Sequence, residues 1–153
     1  MKLSKFCDDS LIEFDLRATT KNEALQELSN VAAKSPLVRD PTQLFKDVLD
    51  REGLVTTGVG YGVAFPHAKT RATKGIVIVF GRSQQGIEFD AIDGRPVKLF
   101  FLIAAPEDAI GAHLNVMARL SYMMKQEENR AQFMSASSPA DLYKALDMPT
   151  SVD

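Results

Sequence analysis

His67 closes the run Val63-Ala64-Phe65-Pro66-His67, an apolar triplet stopped by a proline that delivers an imidazole. Proline fixes φ and cannot donate to a sheet ladder, so the histidine is expected at the end of a short buried strand, held by its backbone. Neutral imidazole is both a nucleophile near pH 7 and a good leaving group, which suits reversible group transfer. Immediately before the triplet stand Thr56, Thr57 and three alternate glycines, Gly58, Gly60 and Gly62. Glycine admits positive φ and lets main-chain N–H groups approach an anion, so Gly58 and Gly60 are candidate anion-loop residues. Arg51 lies five residues before Thr56, in the last turn of an expected helix, and can project toward whatever the loop surrounds. Its structural alternative is a cation set against the helix dipole. The second histidine, His113, follows Pro106 and Gly111 and is placed at a helix start near a strand end.

Two other glycine motifs are excluded. A dinucleotide fingerprint needs a small residue where Val63 stands, and its glycines follow a strand and open a helix, the reverse of the order here. A P-loop needs glycines that Ala68-Lys69-Thr70 lacks; Lys69 is read as a solvated side chain.

The elements that must position these residues follow from pattern. Leu11 to Leu16 alternates as a half-exposed strand does. Thr20 to Glu23 has capping-box spacing, and Ala24, Leu25, Leu28, Val31 and Ala32 recur on one helical face. Asp40-Pro41 opens a second helix, with Leu44, Phe45, Val48 and Leu49 as its stripe and Gly53 as its end. Gly75 to Phe80 is too short for a helix, β-branched and central. Gly86 to Phe89 and the Asp93-Gly94 turn predict a hairpin-like return into a second apolar strand, Val97 to Ala105. The next helix carries His113 one residue before a stripe of Leu114, Met117, Leu120, Ser121 and Met124. Ser138-Pro139 caps a last helix holding Leu142, Tyr143 and Leu146, and the tail beyond Met148 has nothing to pack. Interspersed strands and helices predict a single α/β domain over residues 1–153. It is a three-layer α/β/α arrangement with a mixed sheet of about four to five strands flanked by helices.

Composition bounds the partners. Eighteen basic and twenty acidic residues give a net charge of −2 in 153 residues, without a charge run, so nucleic-acid and membrane-surface binding have no electrostatic support. Cys7 is the only cysteine, which excludes an intrachain disulfide and a thiol-rich zinc site and fits a reducing compartment. No apolar run reaches the roughly 18 residues of a membrane span, and no signal-peptide core follows Met1-Lys2. A cytoplasmic protein with a small-molecule or protein partner is expected.

Val63-Ala64-Phe65-Pro66-His67, after its Thr-Gly-rich approach, resembles the signature of the phosphotransferase-system EIIA type 2 domains: the fructose, mannitol and nitrogen-regulatory IIA components. Asp50-Arg51-Glu52 is similar to that family's Arg-Glu element. His113-Leu114 with Ala118-Arg119-Leu120, Gly86-Ile87 and Asp93-Gly94-Arg95-Pro96 extend the resemblance from about Leu3 to Leu146. Ala68, where glycine is commoner, and the bulky Phe65 depart from it. The resemblance implies that His67 is the phosphorylated nucleophile, Arg51 a phosphate contact and His113 a second, assisting imidazole in the same pocket. The donor would be an HPr-like phosphohistidine carrier and the acceptor a downstream IIB domain or a regulated protein, with no cofactor and no metal.

Phosphoryl transfer is mostly positioning and neutralisation of equatorial oxygens, for which loop amides, the Thr56 and Thr57 hydroxyls and a guanidinium are suitable groups. Three readings follow. A nitrogen-regulatory component is favoured, because no IIB-like or carrier segment is fused to the chain. A sugar-specific fructose/mannitol-type IIA component is the alternative. A non-catalytic metal or ligand-binding module is the distant third, with two histidines and one remote cysteine against it.

Overall fold

A computed structural model describes residues 1–150. Strand β1 is Ile12–Glu13, and helices α1 (Lys21–Ala32) and α2 (Pro41–Leu54) follow it. Three short strands come next: β2 (Gly58–Gly60), β3 (Val63–Ala64) and β4 (His67–Lys69). The long strands β5 (Val77–Ile87) and β6 (Val97–Ala105) precede helices α3 (Ile110–Met124), α4 (Glu127–Ser135) and α5 (Pro139–Leu146).

The sheet is mixed and six-stranded, in the order β1-β5-β6-β3-β2, with β4 also paired to β6. β5 and β6 run antiparallel at its centre, while β3 and β4 run parallel to β6. Val63 pairs with Leu99 and His67 with Ile103, the same offset, so β3 and β4 are one strand interrupted at Phe65-Pro66. Proline has no N–H to give the ladder there, although its carbonyl still accepts from the Ile103 amide at 3.0 Å.

Alternation along the strands sorts the core into two halves. Ala64, Ala68, Val77, Val79, Phe100 and Leu102 face α1 and α2, where Leu25, Leu28, Leu44 and Val48 are buried. Val63, Phe65, Ile78, Phe80, Phe101 and Ile103 face α3, α4 and α5, where Val116, Leu120, Met123, Phe133 and Leu142 are buried. The three-layer expectation holds. The sheet has one strand more than expected, because the glycine-rich approach and His67 both enter it.

Local signals set several boundaries. Thr20 and Glu23 form a complete capping box at α1, and Ser138 caps α5 through the Asp141 amide. Other boundaries moved. β1 shrinks to two residues because Asp8 caps a single 3-10 turn over Asp9–Leu11, although the Leu16 amide still reaches the Arg82 carbonyl. α2 runs one residue past Gly53. α4 has no expectation behind it, since only Phe133 of its nine residues is buried and no stripe marks it. On α3 the buried face is His113, Val116, Leu120, Met123 and Met124, so the expected stripe is turned: Leu114 is exposed. The tail beyond Met148 reaches past the described residues.

Candidate functional site

His67 opens β4 on the face that looks toward α3, and its ring is half-buried. Its Nδ1–H donates to the Phe65 carbonyl at 2.8 Å. A carbonyl can only accept, so this bond puts the proton on Nδ1 and leaves the lone pair on Nε2. The Phe65 amide points away from β6, to the Thr57 carbonyl, so the Phe65 carbonyl is outside the ladder to β6 and available to the ring. Burial holds the His67 imidazole below its usual range, and the positive charges of Arg51 and Lys69 act in the same direction against Phe65 and Glu52. At neutral pH the ring is therefore an unprotonated nucleophile with a fixed tautomer.

His113 faces it. The two ring centroids are 5.5 Å apart, with planes inclined at 46°. His113 is 5% exposed, and its Nδ1 is buried without a hydrogen-bond partner. Burial, reinforced by His67 and Lys69, pushes its pKa down to about 4, so the second imidazole is also neutral. It sits in the first turn of α3, whose N-cap, Ala109, offers no side-chain oxygen to the leading amides. Those N–H groups and the helix dipole favour negative charge nearby.

Arg51, in the last turn of α2, bears on the same ring through its charge. Its Nη1 donates to the Val55 carbonyl at 3.1 Å, which closes the helix and leaves Nε and Nη2 with hydrogens to offer. Both readings of Arg51 thus have geometry behind them: it caps the helix, and its charge acts on His67. The Thr70 hydroxyl donates to Asp47 at 2.6 Å and fastens α2 to the end of β4, which fixes the arginine relative to the histidine. Lys69, expected to be merely solvated, is exposed, but it shares the face of His67 two residues on and its charge reaches both imidazoles.

The structure gives the loop residues other partners. Gly60 pairs with Val63 across a two-residue turn, Tyr61-Gly62, in which both residues have positive φ (62° and 74°), as a tight type I′ hairpin needs. Val63 is four residues from His67 along the strand, about 13 Å at the usual rise. At that turn the Tyr61 amide already donates to the Asp93 carboxylate, whose charge would repel an anion. The amide of Gly58 donates to the Thr56 hydroxyl at 3.1 Å, and a Cβ at Gly58 would stand 2.8 Å from the Ala91 Cα. Its smallness serves packing. The Thr56 hydroxyl hydrogen goes to the Phe89 carbonyl and that of Thr57 to Glu52 Oε1 at 2.6 Å, so neither is available to a phosphate oxygen. Glu52, buried beside Arg51 and given no role of its own from the sequence, adds a negative charge to those bearing on His67. The signal was its place in the Asp50-Arg51-Glu52 triplet.

Among the described residues no three His, Cys, Asp or Glu side chains gather as metal ligands would, and no helix is long and apolar enough to cross a membrane.

Residues 5–148 match the sequence profile of the family described as "Phosphoenolpyruvate-dependent sugar phosphotransferase system, EIIA 2". The chain is 38% identical over 136 residues to the fructose-specific EIIA component of Haloferax volcanii, covering 89% of this chain and 88% of that one. It is 35% identical over 138 residues, 90% of its length, to the fructose-specific EIIABC component of Bacillus subtilis, of which it spans only 22%. The structure superposes on the nitrogen regulatory protein IIA-Ntr of Neisseria meningitidis with a TM-score of 0.87 and 31% identity, covering 94% of this chain and 98% of that one.

Proposed function

The chain belongs to the EIIA type 2 family of the phosphoenolpyruvate-dependent sugar phosphotransferase system, and from that premise we propose that it carries a phosphoryl group on Nε2 of His67. The observation that carries this reading is the Nδ1–H bond to the Phe65 carbonyl, which presents Nε2 as the nucleophilic atom. The Nε2 lone pair attacks the phosphorus of an HPr-like carrier's phosphohistidine. One N–P bond forms as the other breaks, the electron pair of the broken bond returns to the carrier's nitrogen, and each ring keeps its N–H. Phe65 stabilises the positive charge that develops on the His67 ring.

Arg51, Lys69 and the leading amides of α3 supply positive potential where the equatorial oxygens pass, and His113 shields and orients the ring. A surface site suits a group passed between proteins. Exposed Leu54 and Val55 beside Arg51, and Ile110 and Leu114 beside His113, form the apolar part of the docking surface, with Glu107 and Asp108 on its rim.

The test is incubation with phosphoenolpyruvate, the general phosphotransferase enzyme and the carrier. Acid-labile, base-stable label on wild type that is absent from His67→Ala supports the reading; wild-type labelling of the variant refutes it. The downstream role follows the likeness to IIA-Ntr: phosphorylation state governs a regulated protein. The fructose-specific relative favours a second reading, donation to a IIB domain. Rapid loss of label to a purified fructose-type IIB domain selects transport, and retention selects regulation.

A further inference from the structure

Beneath Arg51 lies a buried ion pair that the transfer chemistry does not use. The Glu52 side chain is 5% exposed and meets the Lys21 ammonium at 3.0 Å. Thr57 donates its amide at 2.8 Å and its hydroxyl at 2.6 Å to the same carboxylate. Lys21, at the first position of α1, is 20% exposed, lies 4.7 Å from the centre of the Phe89 ring and is 3.7 Å from exposed Asp90. Taking such a pair out of water is costly, and a charged pair in this place adds little to stability over an apolar one.

What the pair does have is position. Glu52 adjoins Arg51, and Thr57 lies opposite Phe65, whose carbonyl holds the His67 ring. The charges bearing on His67 come from Arg51 and Glu52 on α2 and Lys69 on β4, with the neutral His113 opposite on α3. Glu52 is the acidic member of that set. We infer that the Lys21–Glu52 pair sets how readily His67 gives up its phosphoryl group, Glu52 acting as a positioning residue whose charge Lys21 keeps partly neutralised. A phosphoryl dianion on His67 feels the net charge of this pair. Baring Glu52 pushes the group off, and removing Glu52 holds it on.

This inference rests on His67 being the phosphorylated residue, and its test separates the two. In the intact chain, the His67 ring is titrated by NMR, and the equilibrium with the phosphorylated carrier is read by label distribution. Glu52→Gln keeps an acceptor for Thr57, and Lys21→Met keeps an apolar stem over Phe89. The first is expected to lower the His67 midpoint by about half a pH unit and the second, which acts only through Glu52, to raise it by less. The labelling equilibrium is expected to move about tenfold toward this chain for Glu52→Gln and by less, toward the carrier, for Lys21→Met. Asp90→Asn, an exposed control at a positive φ that asparagine tolerates, is expected to leave both readings unchanged. A purely structural brace would loosen the site from either end, so shifts of the same sign, or none, overturn the inference. Because the titration needs no phosphoryl donor, a wild-type chain that never labels defeats the reading of His67 and leaves the titration to decide the electrostatic role of the pair.

Discussion

The imidazole rings of His67 and His113 stand 5.5 Å apart, centre to centre, the first half-buried on a strand and the second buried in the first turn of a helix. Among the described residues no carboxylate pairs directly with either ring, and burial depresses both. Protonating either one would place positive charge against the other.

That pairing makes stability depend on pH in a definite direction. A histidine whose folded pKa lies below its unfolded value contributes stability in full above the unfolded value, and the contribution is lost as pH falls toward the folded value. For His113 the window runs from about 6.5 down to about 4. The loss reaches up to about 3 kcal/mol, roughly 2 of it by pH 5. Urea unfolding of wild type and His113→Leu at pH 7 and pH 5 isolates it: the variant is expected to lose much less on acidification. Parallel losses in the two proteins would assign the acid sensitivity to other groups.

His113→Ala is expected to slow phosphoryl transfer without abolishing labelling of His67, because the Phe65 bond that aims Nε2 remains. Peptide mapping checks the site of the label. A phosphoryl group found on His113 in wild type would exchange the two roles.

Arg51 closes the end of α2, and its charge bears on His67. Lysine retains the charge but loses the planar fork that holds Val55 and that the proposed function turns on the phosphoryl oxygens. A fully aimed contact of this kind is worth about 2.7 to 4 kcal/mol in rate, whereas a helix-end cation contributes about 0.3 to 1 kcal/mol to stability. Arg51→Lys is therefore expected to lose about one to two orders of magnitude in single-turnover transfer with little change in melting temperature. An unchanged rate with a lowered melt would leave Arg51 as a cap only.

Leu114 and the rim carboxylates test the docking surface by different observables. Exposed Leu114, on the helix that carries His113, is expected to act as an anchor, so Leu114→Ser raises the carrier concentration needed for half-maximal rate about tenfold. Glu107 pairs with Arg71 at 3.1 Å with both side chains exposed, so reversing Glu107 and Asp108 to lysine alters stability little. It is expected to slow association at low salt and to matter less as salt rises. Unslowed transfer at low salt in the double reversal would move the surface elsewhere.

Gly60 separates a hairpin from an anion nest. With φ at 97°, alanine there is strained by about 1 kcal/mol or more and lowers the melting temperature. Its single-turnover rate, measured well below that temperature, is expected to match wild type because the turn lies about 13 Å from His67 along the interrupted strand. A selective loss of rate would restore the loop to the phosphate.

Much of this protein was legible in local pattern. The capping box of α1, the proline that opens α2, the apolar strands β5 and β6 and the Pro66-His67 junction depend on neighbours within a few residues, so residue type and spacing specify them. The resemblance carried by those same residues pointed to the family and to His67. Where the chain doubles back, pattern alone left a choice open. Glycines at alternate positions suit an anion nest and a type I′ hairpin equally, and only the Gly60–Val63 pairing, with Asp93 against it, chose the hairpin. α3 is apolar around more than half its circumference, so two faces satisfied the helical period; packing against Phe101 and Phe133 buried Val116 and Met123 and left Leu114 outside. Glu52 became part of the site only when α1 brought Lys21 to it from thirty-one residues away. Side-chain chemistry and short-range geometry are written in neighbouring letters, whereas which charges share a dielectric and which face meets water are set by contacts between distant segments, and those exist only in the folded chain.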